Sequence, residues 1–326
     1  MAAAMQCPRA LAPARTSVAK TTNPLRARVS RAAAAPASRC QRTVVKASIA
    51  TKEPEMSDVN MWNGKRIQTQ VCGIAQDTTT IRSLDWDRDR FDIEFGLQQG
   101  TTYNSYIIKG TNATALVDAS HEKFRELYLA TLRGQVDISK INYLVVSHTE
   151  PDHSGLVADI LELNPEIEVI GSKVCIQFLQ NLVHFPFKNR VVKVGDTLDL
   201  GGEHVLEFVT APNLHWPDTM FTFDRGTGLL FTCAAFGSHL CTSSVFDEDL
   251  QEVLPHYRFY YDCLMRPNAK SVLTALRKTK DMEFTTICNG HGPLIRYNLP
   301  ELVGNYQDWS AKANKAGNSV VRTQLL

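Results

Sequence analysis

Four residues able to ligate a metal ion fall within six positions of one another in the string Ser147-His148-Thr149-Glu150-Pro151-Asp152-His153-Ser154-Gly155. Pro151 and Gly155 oppose a regular helix or strand through this stretch, so it reads as a loop from which His148, Glu150, Asp152 and His153 can converge. A solvated polar turn is the plain alternative. Against it, two carboxylates packed beside two imidazoles would each need a partner of their own if buried, and a cation serves all four at once. Imidazole and carboxylate without thiolate form a borderline-to-hard nitrogen and oxygen shell that suits iron or manganese and is tolerated by zinc. Two more histidines have matching contexts. His215 lies in Pro212-Asn213-Leu214-His215-Trp216-Pro217-Asp218, and His291 in Asn289-Gly290-His291-Gly292-Pro293.

Positioning six ligands from three turns requires strands that end at one edge. The β-branched run Ile141 to Val146 reads as a buried strand that delivers the 147–154 loop, followed by a helix through Leu156, Ile160 and Leu163. His215 and His291 follow further strand signals, at 204–210 and 284–288. Upstream, 91–95, 103–109 and 114–118 read as an antiparallel meander and 121–133 as a helix. Downstream come a strand at 166–170, a helix at 174–182, a strand at 191–194 and a hairpin of 220–223 with 229–232. Helical pattern dominates 249–280, broken near Pro267, and returns at 301–309. Strand runs with interleaved and trailing helices imply an α/β fold of two packed sheets covered by helices, in one compact domain without repeats.

The pattern His-x-Glu-x-Asp-His followed by two distant histidines resembles the metallo-β-lactamase superfamily, and within it the flavodiiron proteins. The resemblance runs from about Gln68 to Trp309 and includes Leu214-His215-Trp216-Pro217-Asp218-Thr219-Met220-Phe221 and Ala235-Phe236-Gly237. Hydrolases of the superfamily show His-x-His-x-Asp-His, whereas Glu150 stands at the second histidine position here, as in the flavodiiron branch. It implies a metallo-β-lactamase-like αββα sandwich over 68–310, preceded by a flexible segment, 48–67, and followed by a tail, 311–326. It also implies two iron ions, one held by His148, Glu150 and His215 and the other by Asp152, His153 and His291. The implied activity is reduction of dioxygen, to water, or of nitric oxide. Electrons would come ultimately from ferredoxin or NADPH in photosynthetic electron flow.

Two departures accompany the resemblance. The family's bridging aspartate falls just before Ala-Phe-Gly, where this chain has Ala234; solvent hydroxide, Asp247 or Asp249 is left to compensate, and the second ion should be held more weakly. Only 17 residues follow Trp309, without a glycine-rich phosphate loop, so FMN is expected from a longer partner subunit in a homo- or hetero-oligomer. Two other functions are compatible with the motif. One is a hydrolase, such as a thioesterase using metal-activated water, against which Glu150 argues. The other is a non-catalytic subunit that keeps the fold.

Charge divides the chain. Residues 1–52 hold no Asp or Glu but ten Lys or Arg. Being rich in Ala, Arg and Ser, 1–47 reads as a transit peptide for the chloroplast stroma, a basic nucleic-acid-binding arm being the alternative. Without its nine basic residues, 26 Lys and Arg of the original 35 face 34 acids, a mildly acidic balance that disfavours nucleic acid as a partner. No apolar run reaches the roughly 18 residues of a membrane span. Six cysteines beyond residue 47 form no Cys-x-x-Cys pair and read mostly as buried thiols. His121, His184, His204, His239 and His256 lack neighbouring ligands and read as surface or hydrogen-bonded residues, with His239 closest to a candidate turn.

Overall fold

In the computed structural model, which describes residues 53–91 and 95–324, the first described elements are two short strands, β1 (Glu55–Met56) and β2 (Asn60–Trp62). Both pair antiparallel with β3 (Lys65–Ala75), which turns back as β4 (Thr78–Asp85). A small hairpin of β5 (Arg90–Phe91) and β6 (Phe95–Gly96) precedes β7 (Thr101–Lys109) and β8 (Thr114–Val117), which continue the antiparallel run from β4. From there the sheet becomes parallel, through β9 (Tyr143–Val145), β10 (Glu168–Gly171) and β11 (Lys188–Val191). Parallel neighbours need long crossovers, here supplied by α1 (Arg125–Gln135), the pair α2 (Pro151–Ser154) and α3 (Val157–Leu163), and α4 (Lys173–Leu182). The larger sheet thus runs β1-β3-β4-β7-β8-β9-β10-β11.

A second sheet, β12-β13-β14-β15-β16, is built from Thr197–Gly201, His204–Thr210, Met220–Asp224, Leu229–Cys233 and Thr286–Asn289. Its first four strands are antiparallel and β16 joins β15 in parallel after α5 (Leu250–Tyr260) and α6 (Ala269–Thr279); α7 (Leu299–Gln324) follows. Three apolar layers fill the spaces between these elements. Tyr106, Val117 and Val145 meet Phe208, Met220 and Phe231 between the sheets. Phe124, Leu132, Ile160 and Leu179 pack helices on the outer face of the larger sheet, and Tyr257, Val272, Leu302 and Tyr306 do so on the smaller. Helices on both outer faces of two stacked sheets make the expected αββα sandwich. Among the described residues, no helix is long and apolar enough to cross a membrane.

Several boundaries differ from the sequence reading. The meander starts at Lys65, well before Phe91, because β3 and β4 bury Thr69, Gln70, Thr80, Arg82 and Ser83 among their apolar residues and so blur the alternation. Residues 53–67, read as a flexible lead-in, include β1 and β2 and open β3. The 91–95 run yields only the β5–β6 hairpin, with 92–94 outside the described residues. Pro151–Ser154 is a single helical turn, which Pro151 tolerates at its first position because the N–H it lacks would find no intrahelical acceptor there. Helix α7 continues to Gln324, through most of the segment set apart as a tail. The 1–47 leader lies outside the described residues.

One buried ion pair ties the helical layer to the sheet. Lys123 Nζ, just before α1, meets Asp85 Oδ2 at the end of β4, and the Tyr103 hydroxyl donates to the same oxygen at 2.9 Å. Removing one member leaves an uncompensated buried charge, so Lys123→Ala should cost about 3–5 kcal/mol in urea unfolding. The double variant Lys123→Met with Asp85→Asn should recover part of that loss; a single-variant loss below about 1 kcal/mol would mean the pair behaves as a surface contact.

Candidate metal centre

The six candidate ligands leave the ends of strands from both sheets. His148 follows β9, whose continuation is pinned from two sides: Ser147 N donates to Asp118 Oδ1 at 2.7 Å, and Met220 N, at the start of β14, donates to Ser147 O at 2.9 Å. The α2 turn presents Asp152 and His153, and Ala119 N holds His153 O at 2.9 Å. His215 sits in the loop between β13 and β14, and His291 follows β16. Asn104 N, on β7 of the larger sheet, donates to Gly290 O at 2.9 Å, so the His291 turn is sewn to the opposite sheet. Gly290 is required by space: a Cβ there would lie 2.5 Å from His153 Cε1.

These elements gather the side chains into two groups, His148 with Glu150 and His215, and Asp152 with His153 and His291. Within each, the ligand atoms lie within 4.8 Å of one another. Glu150 Oε2 is 2.8 Å from His215 Nε2 and 3.2 Å from His148 Nε2. In the second group, His153 and His291 bring their Nε2 atoms to 3.1 Å, and Asp152 Oδ2 lies 3.3 Å from His291 Nε2. The groups adjoin, with the His148 and His153 ring centroids 6.2 Å apart. His215 is the most exposed of the six; the others are buried.

Outer partners orient the rings. His148 Nδ1 donates to Asp218 Oδ1 at 3.2 Å, and Asp218 Oδ2 is fixed by Thr149 N and Oγ1 at 2.7 and 2.6 Å. His291 Nδ1 donates to Thr102 O at 2.8 Å. In both cases Nε2 is turned toward the cluster, the orientation typical of metal-bound histidine. By contrast, both oxygens of Asp152, and His153 Nδ1, are buried with no hydrogen-bond partner among the described residues. A buried carboxylate without donors is costly unless a cation meets it, so the donor set fits a metal pair of nitrogen and oxygen preference.

Electrostatics divides the groups further. Burial, reinforced by the charge of Glu150, pushes the Asp152 carboxyl up to about 7. Burial lowers His153 to about 3 and His291 to about 4, keeping both imidazoles neutral and able to ligate. Burial also opposes charge on His148, yet the hydrogen bonds to Asp218 and Glu150 outweigh it and raise this imidazole to about 9. Glu150 is held far below the usual carboxylate range, because the His148 and His215 hydrogen bonds overcome its own burial.

Sequence reasoning passed over Asp218 and Thr102 as orienting residues; Asp218, three residues from His215, was within reach of a local search, whereas Thr102 meets its ring across 189 positions. His239 was read as an unliganded histidine. It proves to lie against the centre, its ring 5.0 Å from that of His291, and Tyr260 stands 5.7 Å from the same ring. Ala234 is fully buried beyond β15, in a turn where Cys233 and Phe236 adopt left-handed backbone angles of φ 50° and 65°. Neither Asp247 nor Asp249 compensates for it. Asp247 caps the N–H groups of Arg296, Tyr297 and Asn298, and Asp249 caps α5. Of the other histidines, His204 pairs with Asp224 at 2.7 Å, His121 caps the turn at 122–124, and His184 is exposed.

A family model described as "ODP family beta lactamase" matches residues 101–292, more than half of the chain and all six ligands. The chain belongs to this family. Within it, the relatives are flavodiiron proteins. A putative diflavin flavoprotein A 3 of Nostoc is 60% identical over 257 residues, which are 78% of this chain and 45% of that one. The metal-soaked Flv1 flavodiiron core of Synechocystis superposes with a TM-score of 0.72 at 38% identity, over 74% of this chain and 61% of that one. Rubredoxin oxygen:oxidoreductase of Desulfovibrio gigas gives 0.71 at 25% identity, covering 74% and 62%. The chain therefore spans about half the length of the Nostoc relative, and what it matches is the flavodiiron core.

Two outcomes follow for this core. Gly290→Ala should displace His153 and lower bound metal from two ions toward one per chain in elemental analysis; unchanged stoichiometry would remove His153 from the ligand set. Because His148 is protonated below about 9, metal must displace that proton, so the apparent affinity of its group should rise with pH up to about 9 and then level off. Binding isotherms that are flat across that range would show the imidazole to be neutral throughout.

Proposed function

We propose that this chain is the diiron core of an oxygen or nitric oxide reductase. The observation that carries the reading is the pair of adjoining groups, each with two imidazoles and one carboxylate, with Glu150 shared between His148 and His215 where a hydrolase would place another histidine. When bound, an iron pair supplies the redox chemistry, binding the diatomic substrate and passing electrons to it. The chain's residues hold geometry: Asp218 and Thr102 fix the rings of His148 and His291, the apolar inter-sheet core keeps bulk water away, and Asp152 provides the charge that binding neutralises. In this reading FMN belongs to a longer flavodiiron subunit that associates with the core, and the assembly works in the chloroplast stroma on electrons from ferredoxin or NADPH, reducing oxygen to water. The support is the match to the flavodiiron core of the relatives and the acid-free composition of residues 1–52.

Protein purified without oxygen should contain iron and consume oxygen only when a reduced flavoprotein is added. Zinc content together with thioester cleavage would instead establish a hydrolase, and partner binding without metal would establish a non-catalytic subunit. Ala234→Asp should raise iron occupancy, since two adjacent cations repel unless anions lie between them; unchanged occupancy would mean that position 234 does not face the ions.

A further inference from the structure

We infer that the centre carries a binding site for a small carboxylate anion, of the formate or acetate class, held by the Tyr260 hydroxyl and His239 Nε2 beside Ala234. Both polar atoms are orphans: Tyr260 Oη and His239 Nε2 are buried with no hydrogen-bond partner among the described residues, and the residues that bear them are 0% and 4% exposed. Buried donors left unpaired cost about 1–3 kcal/mol each, and two in contact form an unusual pair to leave so. Their rings lie 4.8 Å apart, and each flanks His291.

Three further observations make this an anion site. The Thr101 hydroxyl lies 2.9 Å from His239 Nδ1, and the inferred site takes the tautomer in which that hydroxyl donates to Nδ1 and the ring proton sits on Nε2, which makes both orphans donors. Around Gly237, a Cβ would lie 3.1 Å from Tyr260 Cζ, the carbon that bears the hydroxyl, 3.1 Å from Ala234 O and 3.3 Å from His291 Cβ, so phenol, Ala234 and ligand converge on one point. Charge accounting supplies the third. On the reading proposed above, two divalent ions bring four positive charges, and Glu150 and Asp152 return two negative ones, the imidazoles contributing none when bound. A buried excess of two positive charges calls for anions. Ala234, which stops at a methyl group, contributes none.

An opening of about 200 Å³ lined by Gln98, Pro255, Phe259 and His239 among others adjoins the His239 ring. Without metal the same place is unfavourable to anions, because the charges of Glu150 and Asp152 act on Tyr260 and that of Glu150 on His239. The carboxylate should therefore bind only together with the ions, strengthening the more weakly held one and being strengthened by it in return.

Anaerobic calorimetric titration of the whole chain with ferrous ion, in sodium acetate and in sodium chloride of equal ionic strength, tests this inference. Acetate should tighten the second ion on the order of tenfold, equivalent to about 1.4 kcal/mol. Tyr260→Phe, which removes only the orphan oxygen, should abolish most of that gain while leaving the chloride isotherm in place. Ala234→Asp, which supplies an internal carboxylate, should bind the second ion tightly in either salt. Two ions bound with identical isotherms in acetate and chloride would overturn the anion site alone. No bound metal in either salt would overturn the two-metal reading and this inference with it. A full acetate effect in both variants would place the anion elsewhere and reject the site described.

Discussion

Burying Asp152 and Glu150 with no lysine or arginine among their hydrogen-bond or ion-pair partners is the constraint to which the rest of the sandwich answers. Glu150 is satisfied within the protein, since His148 and His215 reach the same oxygen from different elements. Asp152 is not; neither oxygen has a donor among the described residues. A carboxylate in that state raises the free energy of the fold, and each cation that meets it returns the loss, so folding and metal binding draw on one free energy. The fold accepts this because rigid elements hold the charge in place. The Met220 to Ser147 and Asn104 to Gly290 hydrogen bonds cross between the sheets within a few residues of the ligands, and the turns they pin cannot relax without opening the inter-sheet core.

The two candidate ligand groups solve the same problem differently. His148 is oriented by a carboxylate, Asp218, whose own position depends on Thr149 in the ligand loop, so the loop and its support form one closed network. His291 is oriented by a backbone carbonyl of β7 and needs no charge beyond the centre. The first arrangement makes the imidazole more basic and a stronger donor, at the expense of competition from protons. The second keeps the ring neutral over the physiological range. One composition of ligands thus presents two imidazole environments of different basicity, an asymmetry written in the outer partners and not in the ligands.

Where the sequence was informative follows from how local each feature is. His148 to His153 could be read at once because four ligand types share six positions, and His215 and His291 because each closes a strand beside glycine or proline. Two packed sheets covered by helices followed from the order of strand and helix signals, and the αββα sandwich from the family resemblance. Strands β3 and β4 were missed because their inner faces bury hydroxyls, amides and the guanidinium of Arg82, which hydrogen-bonds to Gln70 and to the Ser244 carbonyl, so hydrophobic alternation carried little signal. His239 and Tyr260 illustrate the opposite limit. Only the Ala-Phe-Gly turn just before His239 marks either residue locally; their meaning lies in meeting His291, which stands 52 residues beyond one and 31 beyond the other.

Ala234 separates geometry from charge in a way the ligands do not permit. The turn that carries it is strained, with Cys233 and Phe236 in left-handed backbone angles that non-glycine residues seldom adopt, and such strain persists only where surrounding contacts enforce it. Those contacts are present: Gly290 N donates to Cys233 O, Asn289 donates to Phe236 O, and the Tyr306 hydroxyl accepts from Phe236 N. None involves the side chain at 234. The backbone of this turn is therefore held independently of the residue at 234, whose methyl group is buried in the apolar layer shared with Phe236 and Tyr260. What the backbone of this turn fixes is thus the place of residue 234, and what its side chain leaves undetermined is the charge there.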